Sequence, residues 1–429
     1  MKIKRKSQSS SAIIGAIAST MLITAAPLAQ AEESLLNALS NGKASYSARL
    51  RYENVDQDNK PEEANAYTAR LTAAYKTGTY YGFGLFGEVE SVHSLFSNNY
   101  AHKSQAKGGT YPVIADPNET ELNQGYLFYT GLEDTSVKLG RQALTYRGAP
   151  FHRHIGTVAW RQNWQTLDAF SMSNQSLTDT TINYAYVWNV NRIFGEDAPG
   201  AWDNFDSASH LLNVQYNGFK PAKVEAYAYL YDFENADVFS TNTYGLRVSG
   251  GTPVSDSTKL IYTAEYATQS DAADNPNSID ADYILAEIGT KTSFNGPLKM
   301  LLLKASYELQ EGSGGADRFV TILGTNHAYQ GWADKFLVTP GDGVEDIYLT
   351  AVAQAYGMKF VAAYHDFSSD HNSYDYGTEF DILATKKVSE NYTVGLKYAD
   401  YNADSNSMNA GQATAIDTTK LWAFVSAKF

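Results

Sequence analysis

The sequence predicts an all-β fold, a transmembrane antiparallel β-barrel of about 18 strands. Three features of its 429 residues support this prediction. Apolar and polar residues alternate in segment after segment, so each segment has one apolar and one polar face. Tyrosine and tryptophan, 31 and 6 residues, gather at segment ends, as in the aromatic girdles of a membrane barrel. Short connections alternate with longer polar ones, an order that the loops of a soluble β-sandwich have no reason to follow.

The N-terminus has the organisation of a secretory signal peptide. A basic segment precedes an apolar run over residues 12–22 and the small-residue triplet Ala29-Gln30-Ala31, the pattern of an A-x-A cleavage site. We therefore expect residues 1–31 to be removed and residues 32–429 to form the barrel. The alternative, an uncleaved membrane anchor, needs about 20 consecutive apolar residues, and this run is shorter and interrupted.

Composition excludes several classes of function. The formal charge is −14, and loss of the four basic signal residues gives −14 − 4 = −18. Such an acidic chain would repel the phosphate backbone, so we expect no nucleic-acid partner. The absence of cysteine rules out disulfides and thiolate metal sites. We expect no cofactor.

The strands follow one another along the chain. Clear period-two alternation covers residues 44–53, 67–75, 81–90, 181–189, 243–248, 260–269, 301–308, 393–398 and 420–429. Short connections, at 77–78, 131–135, 217–221, 250–257, 295–297, 357 and 386–391, predict periplasmic turns. Longer ones, at 93–120, 143–159, 191–207, 310–344 and 402–417, predict extracellular loops.

Strands 122–132, 137–144 and 160–170 are less regular, because Arg141 and Asp168 fall on the lipid-facing register. A β-bulge or a position at the aqueous rim would explain them.

The last segment ends the chain on an aromatic residue. Leu421, Ala423, Val425, Ala427 and Phe429 share one face. This resembles the C-terminal strand by which outer-membrane barrels of Gram-negative bacteria are recognised for assembly. The resemblance implies an outer-membrane location, with outer-membrane lipid, lipopolysaccharide and the barrel assembly machinery as partners.

A paired motif lies in the irregular strands. It comprises the segments 138–142 and 156–169, with Lys138, Gly140, Arg141, Gln142, Trp160, Arg161, Gln162, Asn163 and Asp168. It resembles the "KLGRQ … W-R-Q-N-x-Q-T-x-D-A" pattern of the alginate-export family of outer-membrane porins, and residues 323–337 look like another segment of that family. Membership implies an 18-stranded barrel and passive solute movement. It does not imply alginate, because an alginate exporter has a strongly basic tunnel and this chain has mixed lumen charge.

The polar faces predict a charged channel lining. Its residues are Arg49, Arg51, Arg70, Glu88, Glu90, Glu225, Arg247, Glu265, Lys304, Glu308, Glu379 and Lys397. A barrel of this size is wide enough for water. Either these charges pair across neighbouring strands, or Arg49, Arg51 and Arg70 form a basic ladder, with Lys397 close by, that orients dipolar or anionic solutes.

The loops contain the candidates for other chemistry. The apolar loop 310–344 is expected to fold over or into the mouth and narrow it, through His327, Trp332, Asp334 and Lys335. His152 and His154 lack a nearby carboxylate, which argues against a metal site, and the acidic loops lack EF-hand spacing. His327 and Asp334 suggest a Ser-His-Asp hydrolase, but no G-x-S-x-G sequence accompanies them.

Three function classes remain. A channel for passive diffusion of small hydrophilic solutes, carbohydrates or anions among them, is favoured, which makes the chain a transport protein and not an enzyme. The first alternative is a structural or adhesive barrel whose loops plug the lumen. The second is a barrel-embedded hydrolase.

Overall fold

The computed structural model describes residues 34–96, 99–103, 107–148, 151–407 and 413–429. The predicted signal peptide and its cleavage site lie outside these residues. No helix within them is long and apolar enough to span a membrane.

Eighteen strands make up nearly all of the regular structure. They are β1 (Lys43–Gln57), β2 (Ala64–Lys76), β3 (Phe83–Ser94), β4 (Glu119–Leu132), β5 (Thr135–Gln142), β6 (Thr166–Asn174), β7 (Thr180–Asn191), β8 (Asn204–Tyr216), β9 (Ala222–Leu230), β10 (Thr241–Pro253), β11 (Thr258–Asp271), β12 (Asp280–Ser293), β13 (Leu298–Gln310), β14 (Val344–Ala355), β15 (Met358–Ser368), β16 (Asp375–Lys387), β17 (Tyr392–Ala403) and β18 (Thr418–Lys428). One short helix, α1 (Leu35–Ser40), precedes them, and single 3-10 turns cover Gly200–Trp202, Asp237–Phe239, Asn326–Ala328 and Ala413–Ala415.

The strands form one closed antiparallel sheet. Each strand pairs with its successor, and β18 pairs with β1 from Ser47 opposite Lys428 to Gln57 opposite Thr418. Closure leaves no strand edge unpaired. The predicted fold class, an all-β antiparallel barrel of 18 strands, is confirmed.

Alternation along each strand separates the two faces of the wall. On β13, Leu303 is 49% exposed on the outside, whereas Ser306 is 4% exposed on the inside. On β1, Leu50 faces outward and Arg51 is buried inside. The outside is therefore apolar and the inside polar, as the period-two pattern predicts.

One of the three less regular strands differs from the sequence-based expectation. Residues 160–165, predicted to begin a strand, lie in the preceding loop, and β6 begins at Thr166. The reason is that this segment bonds to the barrel interior instead of a neighbouring strand: the Gln162 side chain donates to Thr68 Oγ1 at 2.8 Å. Arg141 and Asp168 face outward and pair with each other at 2.9 Å. They lie at the extracellular ends of β5 and β6, which supports the expected rim position. The pairing of β5 with β6 has no register shift, and the shift beside Asp168 lies in the pairing with β7.

Candidate functional site

Two long loops fill the middle of the barrel. We call residues 143–148 and 151–165 loop A and residues 311–343 loop B. Thr325 N–H donates to the His152 carbonyl at 2.9 Å, and Gly156 N–H donates to the Leu323 carbonyl at 2.8 Å. Gln165 also donates to Leu323, at 3.0 Å. Because these bonds join the two loops directly, loops A and B form one unit inside the lumen.

Loop A binds the wall formed by β1 and β2. Arg49 donates to the Gln162 side chain at 2.7 Å and to the Ala159 carbonyl at 3.0 Å. Arg51 donates to the Trp160 carbonyl at 2.6 Å. Of the two alternatives for these arginines, the structure favours pairing over a basic ladder: Arg51 and Arg70 point inward, but loop A covers this wall and both are buried and paired.

A buried ion-pair network fixes the tip of loop A. Arg161 pairs with Glu53 and Asp116, and Arg51 pairs with the same two carboxylates. Burial alone would raise the pKa of Asp116, but the guanidinium groups of Arg161 and Arg51 outweigh it and lower that pKa. Arg70 forms a separate pair with Glu90. Asp116 was missed in the sequence, because it lies in a loop with no periodic pattern that would place it opposite Arg161.

Loop B is anchored through a chain of polar contacts. His327 Nδ1 lies 2.5 Å from Asp334 Oδ1, and Lys420 donates to Asp334 Oδ2 at 2.6 Å. Lys397 Nζ lies 2.6 Å from His327 Nε2. Burial lowers the pKa of His327 well below its ordinary value, so the ring is neutral. We assign its proton to Nδ1, because Nε2 then accepts from the Lys397 ammonium.

Lys397 also lies in a cage of three indole rings. Its Nζ is 3.9 Å from the ring centre of Trp160 in loop A, 3.7 Å from that of Trp332 in loop B and 5.1 Å from that of Trp422 on β18. A desolvated cation over indole faces is stabilised by the ring quadrupole. We call Lys397 and these three rings the Lys397 cage, the point at which both loops and the wall meet.

Two carboxylates of β16 hold the next turn of loop B. Glu379 accepts from Ala333 N–H at 2.6 Å, and Asp381 accepts from Trp332 N–H at 3.2 Å. A Cβ atom at Gly331, whose φ is +73°, would collide with the Glu379 carboxylate. Nearby, burial lowers the pKa of Lys335 to about 7, and its ammonium donates to Thr418 at 2.5 Å.

The opposite wall binds the loops through two arginines of loop A. Arg147 pairs with Glu225 at 2.5 Å and with Glu265 at 2.7 Å. Arg247 approaches Glu265 at 2.6 Å. On β13, Glu308 pairs with Arg153 of loop A at 2.9 Å. Inward charges therefore pair with the loops as well as with neighbouring strands.

A cavity remains between the loops and one side of the barrel wall. A cavity of about 450 Å³ lies between them and the β9 to β15 wall, and charged residues line it alongside Tyr329, Trp332 and Tyr348. A second hollow of about 310 Å³ adjoins it and shares Glu287 and Lys304, which pair with each other. The lining is thus polar and charged, with aromatic residues on both the loop side and the wall side.

The remaining residues of the predicted lining and of the paired motif make contacts close to their own strands. Glu88 accepts from Asn123 at 2.6 Å, and the Lys138 ammonium lies 4.9 Å from the Tyr126 ring centre. Gln142 is buried and donates to the Ala169 carbonyl at 2.9 Å. The structure thus separates the paired motif into a β5–β6 group and a loop A group, in which Asn163 donates to a loop carbonyl at 3.2 Å.

The histidines of loop A have structural partners. His152 Nδ1 accepts from Ile155 N–H at 2.9 Å, and His154 Nε2 lies 3.0 Å from the Tyr227 hydroxyl. Burial lowers the pKa of both histidines. Within the described ranges, no three His, Cys, Asp or Glu side chains are grouped closely enough to hold a metal ion.

The chain has the fold of outer-membrane porins. No protein-family model matches its sequence, and no curated protein sequence matches it significantly. Among solved structures, Acinetobacter baumannii OccAB4 is similar over 90% of this chain and 98% of its own, with a TM-score of 0.70 and 13% identity. Acinetobacter baumannii OccAB3 is similar over 91% and 100%, with a TM-score of 0.68 and 13% identity. Pseudomonas aeruginosa OpdK, solved with vanillate, is similar over 91% and 99%, with a TM-score of 0.65 and 13% identity. These are Occ/Opd outer-membrane porins with an 18-stranded barrel, and at this identity they share the fold.

Proposed function

We propose that the protein is an outer-membrane channel for passive diffusion of small hydrophilic solutes through a charged lumen narrowed by loops A and B. The observation that carries this proposal is the charged cavity of about 450 Å³ between the loops and the wall. Its charged walls keep it hydrated, and its volume suits one small solute at a time. The similar barrel of OpdK was solved with vanillate, a small anionic aromatic molecule.

The solute class follows from the lining. Arginine and lysine side chains alternate with glutamates, so a solute with hydroxyl or carboxylate groups exchanges hydration for charge-assisted hydrogen bonds. The aromatic faces of Tyr329 and Trp332 offer stacking to sugar or aromatic rings. We propose carbohydrates and small anions as solutes. We also propose that the paired motif reflects a relationship to the alginate-export family.

The same proposal includes export and assembly. Residues 1–31 act as the signal peptide, residues 32–429 form the barrel, and the last strand is recognised by the barrel assembly machinery. Outer-membrane lipid and lipopolysaccharide then surround the apolar outer face. We propose no enzymatic activity, because His327 Nε2 contacts Lys397 at 2.6 Å in place of a serine hydroxyl.

A plugged structural barrel is the second candidate. It is favoured by the bonds that tie loops A and B to each other and to both walls, such as the Arg161–Glu53 and Arg153–Glu308 pairs. The two candidates differ in whether the cavity connects the two ends of the barrel, past the loops, on the timescale of transport.

Planar-bilayer recording and liposome swelling test the choice. A channel gives discrete current steps and uptake of neutral sugars that falls with solute size, and small anions should enter at a rate that depends on salt. A natively folded barrel without current steps or swelling would contradict the channel and support the plug. Deleting residues 313–341 of loop B serves as a positive control, because it opens the lumen of either kind of barrel.

A further inference from the structure

Fixed charge changes sign between the two ends of the barrel. Several single strands carry an acid at the extracellular end and a lysine at the periplasmic end: β1 with Asp56 and Lys43, β11 with Asp271 and Lys259, β12 with Asp280 and Lys291, and β16 with Asp375 and Lys387. All eight side chains are exposed. The charge reversal is therefore a property of the wall and does not depend on one loop.

Exposed lysines line the periplasmic mouth on the side formed by β11 to β18, β1 and β2. We define the basic collar as Lys43, Lys76, Lys259, Lys291, Lys359 and Lys387. Each has the same parity as inward-facing residues of its strand, for example Lys259 with Glu265 and Lys359 with His365. Among the described residues, no ion pair involves a collar lysine, whereas Lys304, deeper in the lumen, is paired.

The collar contains two like-charge pairs. Lys43 lies directly opposite Lys76, and Lys259 lies directly opposite Lys291. Like charges at opposed positions of antiparallel strands are destabilising. Neither pair has a carboxylate partner among the described residues, so their positive charge is presented to mobile anions in solution.

Other charges at this end do not cancel the collar. Four further lysines lie there: Lys220, Lys299, Lys386 and Lys428. Five acidic side chains lie on the same turns: Glu133, Asp134, Asp179, Asp256 and Glu390. Ten lysine side chains against five acids leave 10 − 5 = 5 positive charges.

The extracellular end has the opposite balance. Exposed acids of the loops and of lumen-facing parity include Asp58, Glu234, Asp271 and Asp274, and every lysine and arginine that the structure describes at this end is at least partly buried. The loop arginines do not offset them, because Arg161 and the other arginines of loop A fold inward to carboxylates of the lumen.

The two charged ends are electrostatically separate at physiological salt. On β12, Asp280 and Lys291 are 11 residue steps apart, which is about 36 Å along the strand and about 28 Å along the axis of a barrel with strands tilted by about 40°. The Debye length is about 10 Å at 0.1 M and about 3 Å at 1 M. At low salt the fixed charge at each end therefore determines whether cations or anions accumulate there. At high salt the fixed charge at neither end does so.

We propose that the protein is a bipolar ion rectifier, in which an acidic extracellular mouth admits cations and the basic collar admits anions from the periplasm. This inference rests on the proposed channel function. When the extracellular side is positive, cations enter through the acidic mouth and anions through the collar, so both fill the lumen and current is large. Under the opposite voltage each ion must enter through the mouth that repels it, so the lumen is depleted and current is small.

The test is the current–voltage curve of the full-length channel at 0.1 M and 1 M KCl. Orientation in the bilayer is determined with a single cysteine at an uncharged exposed position of the β11–β12 loop, Ser278→Cys, modified from one side with a membrane-impermeant thiol reagent, since the chain contains no cysteine of its own. We expect about twofold or greater rectification at 0.1 M, larger with the extracellular side positive, and a nearly linear curve at 1 M.

Matched variants of neighbouring lysines on β16 assign the effect to the collar. Lys387→Gln removes a lysine of lumen-facing parity and should lower the rectification ratio at 0.1 M. Lys386→Gln removes the adjacent lysine of lipid-facing parity and should leave the ratio unchanged. Current steps with a linear curve at 0.1 M, or equal effects of the two variants, would overturn rectification and leave the channel function standing. A native barrel without current steps would overturn both.

Discussion

Replacing Lys397 by methionine should loosen both loops from the β17 and β18 wall. Methionine is similar in length and apolar, so it keeps most packing contacts while removing the ammonium group. The variant loses the cation over the indole faces of Trp160 and Trp332, and it leaves His327 Nε2 without the donor that lies 2.6 Å away. Loops A and B should respond together, because backbone hydrogen bonds join them.

The magnitude follows from the two nearest rings. Their centres lie 3.9 and 3.7 Å from the ammonium, and a desolvated cation–π contact contributes up to about 2 kcal/mol. Solvation of the undocked lysine offsets part of the total, so we expect a net loss of about 2 kcal/mol in loop docking. At about 1.4 kcal/mol per factor of ten, this raises the undocked fraction roughly 30-fold.

Hydrogen–deuterium exchange of loop B measures that fraction directly, since exchange follows local opening. Amides near Ala333 should exchange about 30-fold faster in the Lys397→Met variant, and bilayer recordings should show more frequent transitions to larger current levels. The control is Lys304→Met, which removes a lumen lysine that pairs with Glu287, away from the cage. Unchanged protection of loop B in Lys397→Met, or equal loss in the control, would refute the role of the cage.

Three further predictions test the register, the contact between the loops and the titration of loop B. Leu303→Arg should destabilise the barrel in a bilayer by about 2–4 kcal/mol and Ser306→Arg much less, and equal effects in urea unfolding would mean that the register is wrong. Gly156→Ala should loosen loop B by about 1–3 kcal/mol, because its new methyl group would overlap Thr325 Oγ1; unchanged exchange protection would contradict this. The pKa of Lys335 is about 7 in the docked loop, against an ordinary 10.5, so the undocked loop binds the extra proton and docking should strengthen as pH rises from about 7 towards 10.5. Lys335→Met should remove that part of the pH dependence of loop exchange.

The barrel itself could be predicted from the sequence because its signal is local. A side chain two positions along a strand returns to the same face, so ten residues of β13 suffice to assign Leu303 to lipid and Ser306 to the lumen. Strand number follows from counting such segments, and closure follows because a membrane strand cannot leave an edge unpaired. None of these steps requires knowledge of contacts between distant residues.

Loop A shows why the site could be predicted only in part. Its inward position depends on Arg161 meeting Glu53, residues 108 positions apart, and no periodic pattern links them. The sequence also made residues 160–165 look like a strand, since polar and aromatic residues follow one another there. In the structure those polar groups bond to the wall formed by β1 to β3. Because the segment finds its hydrogen-bond partners there, it does not form a strand.

The interior and the mouths of this barrel should therefore respond differently to salt. Loop docking depends on pairs such as Arg161–Glu53 and Arg153–Glu308, whose side chains are almost fully buried, and buried pairs are little screened by ions. Undocking leaves unpaired charges unless water reaches all of them, so partial release is unfavourable and the loops should open as a unit. The collar lysines are exposed and screened within a few ångströms at 1 M salt. Raising salt should accordingly abolish rectification while leaving exchange protection of loops A and B unchanged.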